Sequence, residues 1–399
     1  MNRRPVVESD WLTGKEFGVL SHKSVTDSEQ IIDSRQPIDP DRSVDSERLI
    51  DDAQSLAALV HAIADAPVVA LDTEFVREQT YYPRLCLIQI ATPDRLACVD
   101  CVAGMDLKPL FSALLAPGRT WLLHSARQDL EAMQRFMSRL PSRLIDTQIA
   151  AALLGKTPQI GLQDLVGEEL SIRLDKGFTR TNWAARPLPG GALQYALDDV
   201  HHLFALWGIL RQKLNGLNRL DWLEEDCRTA LETPVLTPPI ALWSRLKRVR
   251  ALDARSRCAA LALIEWRERC AQRLNRPRRW LCSDGLLVRI AKTMPNRPDD
   301  MSGIPELPRK FARRFGEEIV SAIAASETAK NLHLVDVRRA PIQEGQFKRL
   351  RDGTRQRAGQ LSIDPQVLAT RQELLDLLRG TPSGRITGGW REDQLKGLV

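Results

Sequence analysis

The sequence predicts a mixed α/β domain followed by an all-α region, on three observations. Short β-favouring runs alternate with amphipathic stretches up to about residue 215, proline breaks the pattern near 234–239, and no convincing strand follows. The expected strands are 67–72, 85–91, 96–99, 120–124 and 143–145. Three of them come in quick succession with short connections, which suits antiparallel pairing. The later ones are separated by helices, which suits parallel crossovers, so a mixed five-stranded sheet with helices on both faces is expected.

Helices are expected at 53–65, 107–115, 127–138, 147–154, 162–170 and 192–214, where apolar residues recur at helical spacing. Residues 172–190 lack a period, and Pro187 and Pro189 favour a loop. Beyond the break, 240–251, 255–273, 283–293 and 308–325 read as helices, and a second break at 341–345 precedes another helical stretch, clearest at 366–379. Residues 1–50 are polar and rich in Ser, Asp and Arg, and are expected to be disordered. The resulting division is an extension (1–50), an α/β domain (51–226), a linker (227–239), a helical domain (240–326) and a second helical region (327–399).

Charge is unevenly spread in the 399 residues. The net is +6, yet residues 227–399 carry 33 Lys+Arg against 19 Asp+Glu, while residues 1–226 carry 24 against 32. An acidic front and a basic back fit a metal-dependent catalytic unit joined to something that grips a polyanion. No apolar run reaches membrane-span length, and the start resembles neither a secretory signal nor an organellar presequence, so a cytoplasmic protein is expected. The seven cysteines form no spaced framework, and the lone Cys98/Cys101 pair suits strand-end packing better than zinc or redox chemistry.

Chemistry concentrates in Val68-Val69-Ala70-Leu71-Asp72-Thr73-Glu74-Phe75. Asp72 and Glu74 are two apart on one strand, so their carboxylates share a face. Paired hard oxygen ligands suit Mg²⁺ or Mn²⁺ better than zinc. Asp129 falls in the first turn of a helix following the strand that ends at His124. Tyr195 and Asp199 are four apart on a helix and address one site, whereas Asp198 is turned away. Four carboxylates gathered in one cleft repel unless cations neutralise them, and two divalent ions roughly 3.5–4 Å apart would do so while serving in-line displacement at phosphorus. A phenol with a reference pKa near 10 is a poor base at neutral pH, so Tyr195 is expected to orient the attacking water.

The segments Leu71-Asp72-Thr73-Glu74-Phe75, Ile145-Asp146-Thr147-Gln148 and Tyr195-Ala196-Leu197-Asp198-Asp199 resemble the three motifs of exonucleases that use four acids and a tyrosine. Thr80-Tyr81-Tyr82-Pro83, Leu174-Asp175-Lys176 and Trp183-Ala184-Ala185-Arg186-Pro187-Leu188 narrow the resemblance to the bacterial ribonuclease D family, from about residue 66 onward. The resemblance implies an RNase H-like (DnaQ-like) α/β fold and a 3′→5′ exoribonuclease that trims RNA 3′ ends, tRNA precursors included, and releases nucleoside 5′-monophosphates. It implies Asp72, Glu74, Asp129 and Asp199 as ligands of two Mg²⁺ or Mn²⁺ ions, Glu74 as a contact to the terminal ribose hydroxyl, and Tyr195 as the residue that orients water. Residues 240–326 resemble an HRDC domain, with 327–399 a degenerate second copy, and nucleic-acid binding is the role implied. No small-molecule cofactor is expected, and a monomer is.

Basic residues supply the remaining candidates. Lys176 and Arg180 in the 172–190 loop are candidates for phosphate contact, as are Arg267, Arg273, Arg276, Arg278 and Arg279, with Arg269 beside them, for RNA. Trp266 and Trp280, interleaved with these arginines, are expected in the core. Asp146 is expected to cap a helix, Gln89 to be a hydrogen-bonded buried amide, and His201 and His202 to pack near the site. Two rival readings remain at this level: a DNA 3′→5′ exonuclease, and an RNA-binding adaptor with a vestigial site.

Overall fold

The computed structural model of the chain describes residues 49–175, 177–178, 181–326, 342–381 and 384–398, all within the unit Pro37–Val399. The expected disorder of residues 1–50 falls almost wholly outside these residues. So do Lys176 and Arg180.

Among the described residues the sheet has six strands, not five, in the order β1-β4-β3-β2-β5-β6. All five expected strands form: β2 (Val68–Val76), β3 (Arg84–Thr92), β4 (Arg95–Asp100), β5 (Thr120–Leu123) and β6 (Arg143–Asp146). The sixth, β1 (Leu49–Ile50), is only two residues long and pairs in parallel with β4 through Leu49↔Cys98 and Ile50↔Val99. Two residues carry no period, so only the pairing partner reveals the strand. Antiparallel pairs join β2 to β3 and β3 to β4, and parallel pairs join β2 to β5 and β5 to β6. Strand β2 is therefore central, its apolar run Val68–Leu71 fully buried in the sheet core with Leu87, Ile90 and Trp121.

The helices of this part are α1 (Ala53–Ala62), α2 (Lys108–Leu114), α3 (Arg127–Met133), α4 (Thr147–Leu153), α5 (Leu162–Leu170), α6 (Ala192–His201), α7 (Leu203–Gly216) and α8 (Leu220–Glu232). The single helix expected over 192–214 is two, divided at His202. Helix α8 takes up the first residues of the stretch expected to be linker. Its Leu223 and Cys227, four apart, form a buried face.

The basic half is helical throughout its described residues: α9 (Pro239–Arg245), α10 (Ala254–Leu274), α11 (Arg278–Leu281), α12 (Asp284–Thr293) and α13 (Arg309–Ser326), then α14 (Glu344–Gln360), α15 (Pro365–Leu368), α16 (Arg371–Leu378) and α17 (Gly389–Leu395). Trp243, Ile264, Trp266, Leu287, Ile290, Phe315 and Ile319 fill one core between α9 and α13. No described helix is long and apolar enough to cross a membrane.

Both helical parts touch the α/β part through polar contacts with specific partners. Tyr81, in the β2–β3 loop, donates to Glu268 of α10 at 2.8 Å and accepts from Gln272 at 3.1 Å. At the other end Trp390 of α17 stacks on Trp222 of α8 at 4.3 Å, and Arg391 forms a nearly buried ion pair with Asp226. Arg219 ties the same region together by donating to the carbonyls of Leu153 and Leu361 at 2.6 Å each.

Candidate active site

Strand β2 delivers the first two acids. Asp72 and Glu74 emerge on one face at the point where the register against β3 shifts, between Glu74 and Phe75. Helix α6 delivers the partners. It starts at Gly191, whose φ of +82° suits glycine, and the Phe178 ring lies 3.1 Å from where a Cβ would stand there. One turn later Tyr195 projects, and Asp199 follows one turn beyond it. Oxygens of Asp72, Glu74 and Asp199 lie within 4.8 Å of one another, a spacing that can hold a metal ion. Asp198 instead accepts from Gln194 at 2.6 Å, turned away as helical phase requires.

Asp129 is beside this trio rather than one of it. Its carboxylate accepts a 2.6 Å hydrogen bond from Thr73 Oγ1, the residue between the two strand acids. Helix α3, which carries Asp129, is anchored by Asp146: the two Asp146 oxygens accept from the backbone N–H groups of Ser125 and Ala126, both at 2.9 Å. Asp146 also caps α4 by accepting from Gln148 N at 2.9 Å, as expected. Its second role depends on the β5–α3 turn lying against the end of β6, which no local signal reports.

Mutual repulsion marks the cluster. Burial pushes Glu74 up to about 8, with the charges of Asp199 and Asp129 adding to it. Burial raises Asp72 well above the ordinary carboxylate range, reinforced by Asp129, Asp199 and Glu74. Asp129 rises to about 7 through burial, against the Thr73 hydrogen bond, and Asp199 to about 7 through burial and Asp198. Such a set holds its protons unless cations compensate the charge of the carboxylates, so hard divalent ions fit its donor chemistry.

Tyr195 is held by aromatic neighbours, with Phe178 at 5.7 Å and Trp183 at 6.2 Å between ring centroids. Burial and the nearby Asp199 push its phenol up to about 12, so it stays protonated and acts as a hydrogen-bond donor rather than a base. Gln163 of α5 donates to the phenolic oxygen at 3.5 Å, which leaves the Tyr195 proton free to point elsewhere. Sequence reasoning missed both Gln163 and Thr73. His201 and His202 stack on each other at 4.7 Å.

The basic candidates divide. Arg267 is a correction: its side chain is only 2% exposed, donating to the Cys282 carbonyl and to Asp284, so it is part of the helical core and not a surface contact. Its neighbours at helical spacing, Leu263, Ile264, Cys270 and Ala271, are all buried, a signal present in the sequence. Arg273 pairs with Glu318 at 2.9 Å, and Arg278 pairs with Glu268 at 3.2 Å beneath the Tyr81 ring. Arg276 and Arg279 are exposed. So is Trp280, at 62%, against the expectation of a core residue, while Trp266 is buried as expected.

Gln89 also departs from expectation. It is fully buried, and neither its amide nitrogen nor its amide oxygen has a hydrogen-bond partner among the described residues.

Residues 48–215 match the family model described as 3′-5′ exonuclease, and residues 259–323 match that of the HRDC domain. The chain is 35% identical over 356 residues to a ribonuclease D of Desulfotalea psychrophila, covering 86% of this chain and 95% of that protein. To a ribonuclease D of Gluconacetobacter diazotrophicus it is 38% identical over 276 residues, covering 68% and 70%. Among solved structures it is similar to Escherichia coli RNase D, described as an exoribonuclease involved in structured RNA processing. The TM-score is 0.75 at 27% identity, covering 88% of this chain and 98% of that one.

Proposed function

The chain belongs to the ribonuclease D family of 3′→5′ exoribonucleases, and from that membership we propose that it trims the 3′ ends of structured RNAs, tRNA precursors among them, at the cluster around Asp72. The observation that carries this is the convergence of Asp72, Glu74 and Asp199 within 4.8 Å of one another. Asp129 stands beside them, held by Thr73.

In the reaction, water attacks the last phosphodiester phosphorus in line and the P–O3′ bond breaks. A nucleoside 5′-monophosphate departs and a new 3′-hydroxyl remains on the shortened chain. Asp72, Glu74, Asp129 and Asp199 would hold two divalent ions, which when bound supply charge neutralisation and Lewis-acid polarisation at the phosphate. Tyr195, protonated and steadied by Gln163, donates a hydrogen bond that orients the attacking water. Glu74 contacts the terminal ribose hydroxyl. Mg²⁺ or Mn²⁺ as the ions, the cytoplasm as location and a monomer as the working form complete the reading.

We assign catalysis to residues 51–226 and RNA grip to the helical regions 240–326 and 327–399, joined through 227–239. Support comes from the charge split and from the exposed Arg276, Arg279 and Trp280. The test is an end-labelled single-stranded RNA incubated with Mg²⁺ or Mn²⁺ beside a matched DNA. Stepwise shortening of the RNA that stops in Asp72→Ala and Asp199→Asn is expected. Undiminished activity in either variant would overturn the site, and faster DNA cleavage would overturn the substrate.

A further inference from the structure

An amide with two orphaned polar atoms in a sheet interior demands a physical reason. Leaving a buried donor or acceptor unpaired forfeits its hydrogen bonds to water, and native proteins pair the great majority of such groups. Gln89 is fully buried on β3 with both amide atoms unpartnered among the described residues. Its place in the sheet limits what it serves. Asp72 of β2 lies directly opposite it on one side, and Cys98 of β4 directly opposite on the other. Residues paired in this way point to the same face, with Cβ atoms about 4.5–5.5 Å apart. Cys98 belongs to an apolar cluster with Ala192, Ala196 and Leu197 of α6, and a thiol is a weak acceptor. Asp72 is the strong acceptor at this register.

We propose that Gln89 is a positioning residue for Asp72: its amide N–H donates to the Asp72 carboxylate when that carboxylate turns to hold a divalent ion. Carboxylates that ligate metals are oriented by such outer hydrogen bonds, and losing one typically costs about 10–100-fold in metal affinity. A donor aimed at the Asp72 carboxylate explains a glutamine where the neighbouring positions Leu87, Ile88, Ile90 and Ala91 are apolar and buried. The inference rests on the reading of Asp72 as a metal ligand and adds a residue to it.

The two roles open to Gln89 move stability and metal affinity differently. A purely structural amide, once removed, lowers the melting temperature of the metal-free protein and leaves metal binding unchanged. A positioning amide does the reverse. The experiment takes the full-length protein with Gln89→Met, close in shape but without the amide, and Gln89→Leu as a second variant lacking the methionine sulfur. Melting is followed in EDTA, and Mn²⁺ binding is followed by titration calorimetry. The expected result is a metal-free melting temperature equal to or above that of the wild type, with Mn²⁺ affinity reduced about tenfold or more. Wild-type Mn²⁺ affinity in both variants, or their failure to fold in EDTA where the wild type folds, would overturn the inference. If the wild-type protein itself bound no Mn²⁺, the reading of Asp72 as a ligand would fail instead.

Discussion

Thr73 hydroxyl and Asp129 carboxylate meet at 2.6 Å, so the residue between the two strand acids fixes the acid on the neighbouring helix. Strand alternation turns Thr73 away from the face of Asp72 and Glu74, yet it couples β2 to α3. Hydrogen bonds to charged groups contribute about 1.5–3 kcal/mol. Thr73→Val is therefore expected to lower kcat/KM by about 10–100-fold, and Thr73→Ser to keep most of it. Steady-state rates on one RNA substrate check this, and a fully active Thr73→Val enzyme would exclude the coupling.

The raised carboxylates give metal-free stability a definite pH dependence. Glu74 at about 8 and Asp129 and Asp199 at about 7 hold protons more tightly folded than unfolded, where carboxyls titrate near 4. Their contribution is full below pH 4 and is lost as pH rises through 7–8. The melting temperature in EDTA is expected to fall between pH 5 and 8. A divalent ion at 100 times its Kd adds about 2.7 kcal/mol. Because ions bind the deprotonated cluster, the gain in melting temperature from Mn²⁺ is expected to be larger at pH 8 than at pH 5. Equal gains would contradict it.

The nearly buried pair Arg391–Asp226 fastens α17 to α8, with side chains 5% and 9% exposed. Breaking one partner of a buried pair costs about 3–5 kcal/mol because it strands the other charge, whereas replacing both with apolar residues is often neutral. Arg391→Ala is expected to destabilise the protein on that scale, and Asp226→Leu/Arg391→Met much less. Urea denaturation of the two variants decides.

RNA binding is expected to depend on Arg276 and Arg279 through charge and on Trp280 through stacking. Each phosphate contact on a single strand contributes about 0.7 to the slope of log K against log salt. Arg276→Ala/Arg279→Ala is therefore expected to reduce that slope by about 1.4. Trp280→Ala is expected to weaken binding by about 1–3 kcal/mol with the slope unchanged. An unchanged slope in the double variant would move the grip elsewhere.

Much of this architecture was legible where the determinant is local. The run Val68–Leu71 ending in Asp72 and Glu74 announced the central strand and its two acids, and helical phase alone selected Asp199 over Asp198 beside Tyr195. Determinants that depend on tertiary neighbours were not legible. Strand β1 exists because β4 offers it an edge. Asp146 caps α4 as its local sequence predicts, but its second pair of bonds reaches 20 and 21 residues back along the chain and leaves no local signal. Charge also misled. The Arg267 guanidinium suggests a surface contact while the residue occupies a buried helix face, and the exposure of Trp280 runs against the usual burial of tryptophan.

The most direct test is a crystal of the protein grown with Mn²⁺ and a nucleoside 5′-monophosphate, with manganese located by its anomalous scattering. Two peaks roughly 3.5–4 Å apart, bounded by oxygens of Asp72, Glu74, Asp129 and Asp199, are predicted. Ordered nucleotide with no manganese among those carboxylates, or manganese held by other residues, would contradict the account.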